Sequence, residues 1–246
     1  MKVQVFKESQ NLIQAAVEFI IENVPRGGVM GFATGGTPLD VYKGLATSGW
    51  NAQLSTAFAL DEYLGVCEDN PASFSFYIRK NIEIPLGLEP GFVKVPNGCA
   101  EDPQLECELF ESAINQSPID LQILGVGKNG HIAFNEPGAT PDSFTRVVDL
   151  ALSTRHDNGE DFNGLAPARA LTQGVGTILK AKKLLLIVRG ASKAAALKML
   201  FESEASPEAP VTFLRSHSDL TVLADEAAMS LVKRNVSAHP DTKVIP

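Results

Sequence analysis

Short apolar runs, spaced so that a longer amphipathic stretch fits between them, constrain this chain more than any other feature. Val29–Thr34, Ala57–Leu60, Leu121–Val126, Leu184–Val188 and Thr221–Ala224 are apolar at nearly every position. Strands of that kind are buried on both faces, as in a parallel sheet covered by helices. Ser9 precedes Leu12, Ile13, Ala16, Val17 and Ile20, the spacing of one helical face. Thr37-Pro38, Asn70-Pro71 and Asp102-Pro103 each set a capping side chain before a proline suited to the first helical position. The expected fold is α/β: a three-layer αβα domain over residues 1–246, with a mostly parallel Rossmann-like sheet and helices on both faces. Residues 138–176 break the alternation with Gly, Pro and charge and no sustained period, and are read as a lid.

Composition removes several function classes. The 246 residues suffice for a core without metal or disulfide support. With 29 Asp and Glu against 21 Lys and Arg the net charge is −8. A field of that sign repels phosphate polymers, so no nucleic acid is expected, while a locally positive pocket for an anionic metabolite stays open. No apolar run approaches the ~18 residues that cross a bilayer, so no membrane is expected. Cys67, Cys99 and Cys107 are odd in number and lack metal-ligand spacing, which reads as thiols of a reducing compartment. The first residues lack the apolar stretch of a signal peptide, and the expected location is cytoplasmic.

Ligands of open parallel sheets bind beyond the carboxyl ends of the strands, so the residues just after each run carry the functional reading. Gly35-Gly36-Thr37-Pro38 follows the first run, which ends at Thr34, and its backbone N–H groups at a helix start form a site for phosphate. Asp61 follows Leu60, where partial desolvation raises a carboxylate's pKa and makes it a better base. Gly127 to Gly138 holds Asn129, His131 and Glu136, a histidine with a carboxylate placed to orient it. A metal held by Asp61, His131 and Glu136 fits no common zinc spacing, and no metal is expected. Ser192 reads as a helix cap that puts Lys193 in a first turn, where a cation opposes the helix dipole unless it serves an anion. An anion cradle, a carboxylate, a His–Glu pair and a lysine together suit acid–base work on a phosphorylated small molecule.

Three stretches closely resemble the glucosamine-6-phosphate deaminase/isomerase family, which is related to the 6-phosphogluconolactonases. They are residues 33–38 (ATGGTP), 60–63 (LDEY) and 125–137 (GVGKNGHIAFNEP). After Gly130-His131 the run Ile132-Ala133-Phe134-Asn135-Glu136 takes the deaminase rather than the lactonase form. The resemblance implies glucosamine-6-phosphate deaminase activity without a cofactor. His131, oriented by Glu136 and Asn129, assists ring opening. Asp61 moves the C2 proton towards C1 through an enediol-like intermediate, and ammonia leaves C2. Thr34, Gly35, Gly36, Thr37 and Lys193 hold the phosphate. The chain departs from the family where an Asn-Ser-Arg or Asn-Ala-Arg lid is usual: it has Asn158-Gly159-Glu160, so Glu160 stands in place of a phosphate-binding arginine. Arg146, Arg155 and Arg169 are the candidates to substitute. Val148 and Asp149 stand where effector-site residues are expected, which implies a monomer or low-order homo-oligomer. The alternatives are a galactosamine-6-phosphate deaminase/isomerase, a 6-phosphogluconolactonase and a non-enzymatic sugar-phosphate sensor.

Overall fold

The computed structural model describes residues 1–51, 53–233 and 242–245. The chain opens with β1 (Lys2–Phe6), α1 (Ser9–Asn23), β2 (Val29–Phe32) and α2 (Gly36–Thr47). Next, β3 (Thr56–Ala59) passes through Leu60 directly into β4 (Asp61–Tyr63). Then come α3 (Phe74–Ile78), a π turn over Arg79–Glu83, α4 (Ile84–Leu86), β5 (Val93–Lys94), α5 (Pro103–Gln116) and β6 (Leu121–Leu124). The following stretch holds β7 (Arg146–Asp149), α6 (Leu152–Asp157), β8 (Arg169–Thr172) and α7 (Val175–Leu179). The chain closes with β9 (Lys183–Val188), α8 (Ala194–Glu202), β10 (Leu220–Asp225) and β11 (Thr242–Ile245).

Eight strands form one parallel sheet in the order β11-β1-β10-β9-β6-β2-β3-β5. The five apolar runs are β2, β3, β6, β9 and β10, buried at almost every residue because helices cover both faces. The runs beginning at Val29 and Leu121 stop pairing at Phe32 and Leu124, so their last residues are already loop. Asp102 caps α5 as expected, accepting from the N–H groups of Gln104 and Leu105. The other proline signals differ. Asn70 accepts from Ala72 N–H in a turn, and α3 starts later, with Ser73 accepting from Phe76 N–H. Gly35, not Thr37, precedes α2, and Ser192 lies in a 3₁₀ turn ahead of α8.

The segment 138–176 is not irregular. It supplies β7 and β8, which join β4 in a second, antiparallel sheet in the order β4-β8-β7. These strands have four residues or fewer and carry charged residues (Asp61, Glu62, Arg146, Asp149, Arg169), so they lack the continuous apolar run that marks the main sheet. Beside the main core, a smaller cluster of Tyr63, Val66, Phe134, Leu150, Ala166 and Ala170 packs this sheet down. The reading of three thiols is also corrected: Cys67 and Cys99, both exposed, form a disulfide with Cα atoms 5.1 Å apart, and only Cys107 is a buried thiol. The two loops meet because Gly65 N–H donates to Gly98 O at 2.7 Å, and a Cβ on Gly98 would strike the carbonyls of Tyr63 and Val66. Among the described residues no helix is long and apolar enough to cross a membrane.

Candidate active site

The four strands β9-β6-β2-β3 lie side by side at the centre of the sheet, and their carboxyl ends share a cavity of about 650 Å³. Thr34, Gly35, Gly36, Thr37, Asp61, His131 and Lys193 all line it. The run of β10 sits outside this group of four, which is why it contributes nothing to the cavity.

The floor is built on backbone. Gly35 holds φ +107°, a left-handed value that favours glycine, and precedes the first residue of α2. A Cβ on Gly35 or Gly36 would meet no protein atom, so these glycines leave room towards the cavity rather than within the fold. The Tyr77 hydroxyl donates to Gly35 O at 2.8 Å and fixes the peptide. Tyr42, fully buried, accepts from Ala33 N–H at 3.1 Å and donates to Ala33 O at 2.7 Å, which secures the end of β2. The α2 N-terminus with its free N–H groups thus faces the cavity as an anion site. Lys193, half-buried just before α8, stands beside it; burial and the Lys128 charge push its ammonium below the usual lysine range.

The opposite wall carries the proton chemistry. Asp61 is the first residue of β4, 5% exposed, and among the described residues its carboxylate accepts no hydrogen bond. Burial, then the Glu62 charge, raise its pKa well above the ordinary carboxylate value. Glu62 is its opposite: its carboxylate accepts from the N–H groups of Tyr63, Phe74 and Ser75 and from the Ser75 hydroxyl at 2.9–3.1 Å. One acid of the pair is spent on capping α3, and the other is left bare to the cavity.

His131 lies on Gly127, where a Cβ would come within 2.4 Å of three imidazole ring atoms. Glu136 Oε2 stands 3.6 Å from His131 Nδ1, within ion-pair reach but beyond a direct hydrogen bond. Asn129 ties the two together, donating to Glu136 Oε2 at 2.8 Å and accepting from His131 N–H at 3.1 Å. Burial would raise the Glu136 carboxyl, but His131, Thr154 and Asn129 outweigh it and bring its pKa to about 2. Asn129 and Glu136 therefore sit behind the imidazole rather than on the cavity surface. Among the described residues no group of three or more His, Cys, Asp and Glu side chains is placed to hold a metal ion.

The rim comes from α6 and the 3₁₀ turn that follows it, Glu160–Phe162. Glu160 and Asp161 line it, and none of the three arginines expected to replace the lid cation reaches the cavity. Arg146 donates to Asn135 Oδ1 at 2.9 Å, Arg155 to Ala166 O at 2.9 Å, and Arg169 is exposed at the start of β8. The arginine that does line the cavity is Arg189, which follows β9 as Lys193 does and is found by the same strand-end rule applied one step earlier. An aromatic wall of Tyr63, Phe74, Phe134 and Phe162, ring centroids 4.8–5.8 Å apart, also escaped sequence reasoning. Its members come from four separate segments, and only the fold brings them together.

Comparisons with known proteins agree with this arrangement. Residues 7–223 match the family model described as glucosamine-6-phosphate isomerases/6-phosphogluconolactonase. A glucosamine-6-phosphate deaminase of Bacillus cereus is 37% identical over 241 residues, covering 96% of this chain and 91% of that protein. Glucosamine-6-phosphate deaminase 1 of Bacillus subtilis is 38% identical over 240 residues, 94% and 99% of the respective chains. Among solved structures, a monomeric glucosamine-6-phosphate deaminase superposes with a TM-score of 0.89 at 38% identity, covering 94% of this chain and all of that one. The 6-phosphogluconolactonase of Trypanosoma brucei shares the fold, with a TM-score of 0.78 at 17% identity over 94% and 98%. With a parallel sheet whose central strand ends share one cavity, and relatives that match it from end to end, the chain belongs to the glucosamine-6-phosphate isomerase/6-phosphogluconolactonase family.

Proposed function

We propose that this chain is a glucosamine-6-phosphate deaminase, converting glucosamine 6-phosphate and water to fructose 6-phosphate and ammonia. The observation that carries the reading is Asp61: a buried carboxylate that accepts no hydrogen bond among the described residues, across a cavity from an anion site. Such a group is costly to the fold and is explained by a proton it must take. The phosphate sits at the Gly35-Gly36-Thr37 turn and Lys193, and its binding energy places C1 and C2 of the sugar near Asp61. His131, oriented by Asn129 and Glu136, moves a proton to the ring oxygen and opens the pyranose. The exposed aldehyde acidifies C2, and Asp61 takes that proton. Because C2 carries nitrogen, the species formed is an enolamine. Returning the proton to C1 leaves an iminium at C2, which water hydrolyses with release of ammonia. The chemistry calls on no cofactor, since the aldehyde itself is the electron sink.

The close relatives named as deaminases support this reading over the lactonase alternative, whose structural neighbours share only the fold. A monomeric structural neighbour supports a monomer or low-order oligomer. Sugar phosphates do not cross an apolar bilayer unaided, which supports a cytoplasmic site of action. The test is an ammonia assay on purified protein without added metal, with glucosamine 6-phosphate and galactosamine 6-phosphate side by side. Ammonia and fructose 6-phosphate from the first substrate are expected. Faster release from the second moves the assignment to the C4 epimer, and release from neither rejects it.

A further inference from the structure

We propose that Arg189 is the second phosphate-binding cation of this site, doing the work of the cation absent from the lid. The inference rests on the deaminase reading and extends it to the way this chain holds its substrate.

Three cationic side chains line the cavity: Lys128, Arg189 and Lys193. Lys128 reaches across to the rim and pairs with Asp157 at 2.7 Å. Arg189 turns the other way: its Nη2 donates to Asp40 Oδ2 at 2.8 Å. Asp40 lies four residues beyond Gly36 on α2, about 6 Å along the helix axis. The guanidinium is therefore within roughly one helical turn of the Gly35-Gly36-Thr37 cradle. Its fork carries about five N–H donors in fixed geometry, and among the described residues the one bond to Asp40 is its only hydrogen bond. The remaining donors match the oxygens of a phosphate, which guanidinium binds two at a time.

The backbone beside it is equally set. Gly190 has φ +88°, and its N–H donates to both carboxylate oxygens of Asp225, at 2.9 and 3.0 Å. The point where Arg189 leaves β9 is thus pinned to β10, which fixes the origin of the side chain beside the cavity. Charge along the cavity supports the same orientation. Glu160 and Asp161 stand at the rim, and Arg189 and Lys193 stand with the helix N-termini at the floor. A phosphate is driven from the rim and taken by the floor.

A structural ion pair and a phosphate ligand give opposite results at Asp40, and inorganic phosphate is the probe. Calorimetric titration is expected to show phosphate affinity falling fivefold or more in Arg189→Met, while Asp40→Asn, which removes a nearby anion and frees the guanidinium, binds phosphate as tightly as the wild type or tighter. A loss below fivefold in Arg189→Met overturns the proposal. Weakening in Asp40→Asn to match Arg189→Met also overturns it, because the pair would then be a brace. If Arg189→Met folds poorly by circular dichroism, Arg189→Gln keeps a hydrogen-bonding head and is held to the same threshold. The titration needs no turnover, so it separates two failures. A wild type that releases no ammonia rejects the deaminase reading and leaves phosphate affinity to judge Arg189. A wild type that turns over, with phosphate affinity unmoved in Arg189→Met, rejects Arg189 alone.

Discussion

The eight-stranded parallel sheet and the three-stranded antiparallel sheet meet at Leu60, and they bring different chemistry to one cavity. The parallel sheet contributes the floor, made of strand ends and helix N-termini locked by backbone hydrogen bonds and by Tyr42. The antiparallel sheet contributes the wall, where β4 carries Asp61 and the aromatic cluster shields it. Gln173 clasps the junction, its N–H donating to Leu60 O at 2.8 Å and its side-chain amide to Ala59 O at 2.9 Å. The difference teaches a division of labour: one sheet supplies strand ends and a helix start whose backbone the fold holds rigid for binding, and the other supplies the carboxylate that takes the proton.

The sharpest break of that comparison is Asp61→Asn. Turnover should fall by about 10³-fold, within the range for losing a general base, while inorganic phosphate still binds at the floor. The same variant should be more stable near neutrality. Asp61 has a folded pKa raised above its unfolded value of about 3.8, so the native state holds its proton longer. Wild-type stability therefore declines as pH rises from that value through the raised one, and above it the ionised carboxylate remains a cost. Thermal melts of wild type and variant should converge below about pH 4, where both side chains are neutral, and separate above it. Full turnover in the variant, or a variant less stable at neutral pH, would remove Asp61 from the role.

Second in size is the Cys67–Cys99 disulfide, which ties the loop after β4 to the loop before α5. A separation of 32 residues sets a loop-closure contribution of about 4 kcal/mol as an upper bound. Cys67→Ser with Cys99→Ser should lower the denaturation midpoint accordingly while phosphate affinity stays within twofold, because the floor belongs to the other sheet. A parallel loss of phosphate affinity would show that the two regions are not separable.

Legibility in the sequence divides along the same line. Strands buried on both faces must be apolar throughout, so β2, β3, β6, β9 and β10 stand out, and the residues after four of them fill the cavity. β4, β7 and β8 are three or four residues long, too short for a period to emerge, and β7 and β8 stayed hidden inside what reads as a lid. Residue type alone does not say which acid of Asp61-Glu62 is satisfied; that depends on α3 lying over Glu62. Nor does it say that Arg146 braces Asn135 while Arg189 faces the cavity, because both are arginines among apolar neighbours.

Tyr77 offers the finest cut, because α3 belongs to both regions. Its N-terminus is held by Glu62 of β4, and its Tyr77 hydroxyl reaches across to Gly35 O of the floor. Removing the hydroxyl in Tyr77→Phe keeps the ring packed against the main core and leaves the Gly35 carbonyl free to rotate. A single hydrogen bond of this kind should raise KM about fivefold, with kcat falling less than twofold because Asp61 and His131 keep their surroundings. The inhibition constant for inorganic phosphate should rise by the same factor as KM, since both report the cradle. A fall in kcat at constant KM would instead place Tyr77 with the wall, and the boundary between binding floor and reacting wall would have to be redrawn through α3.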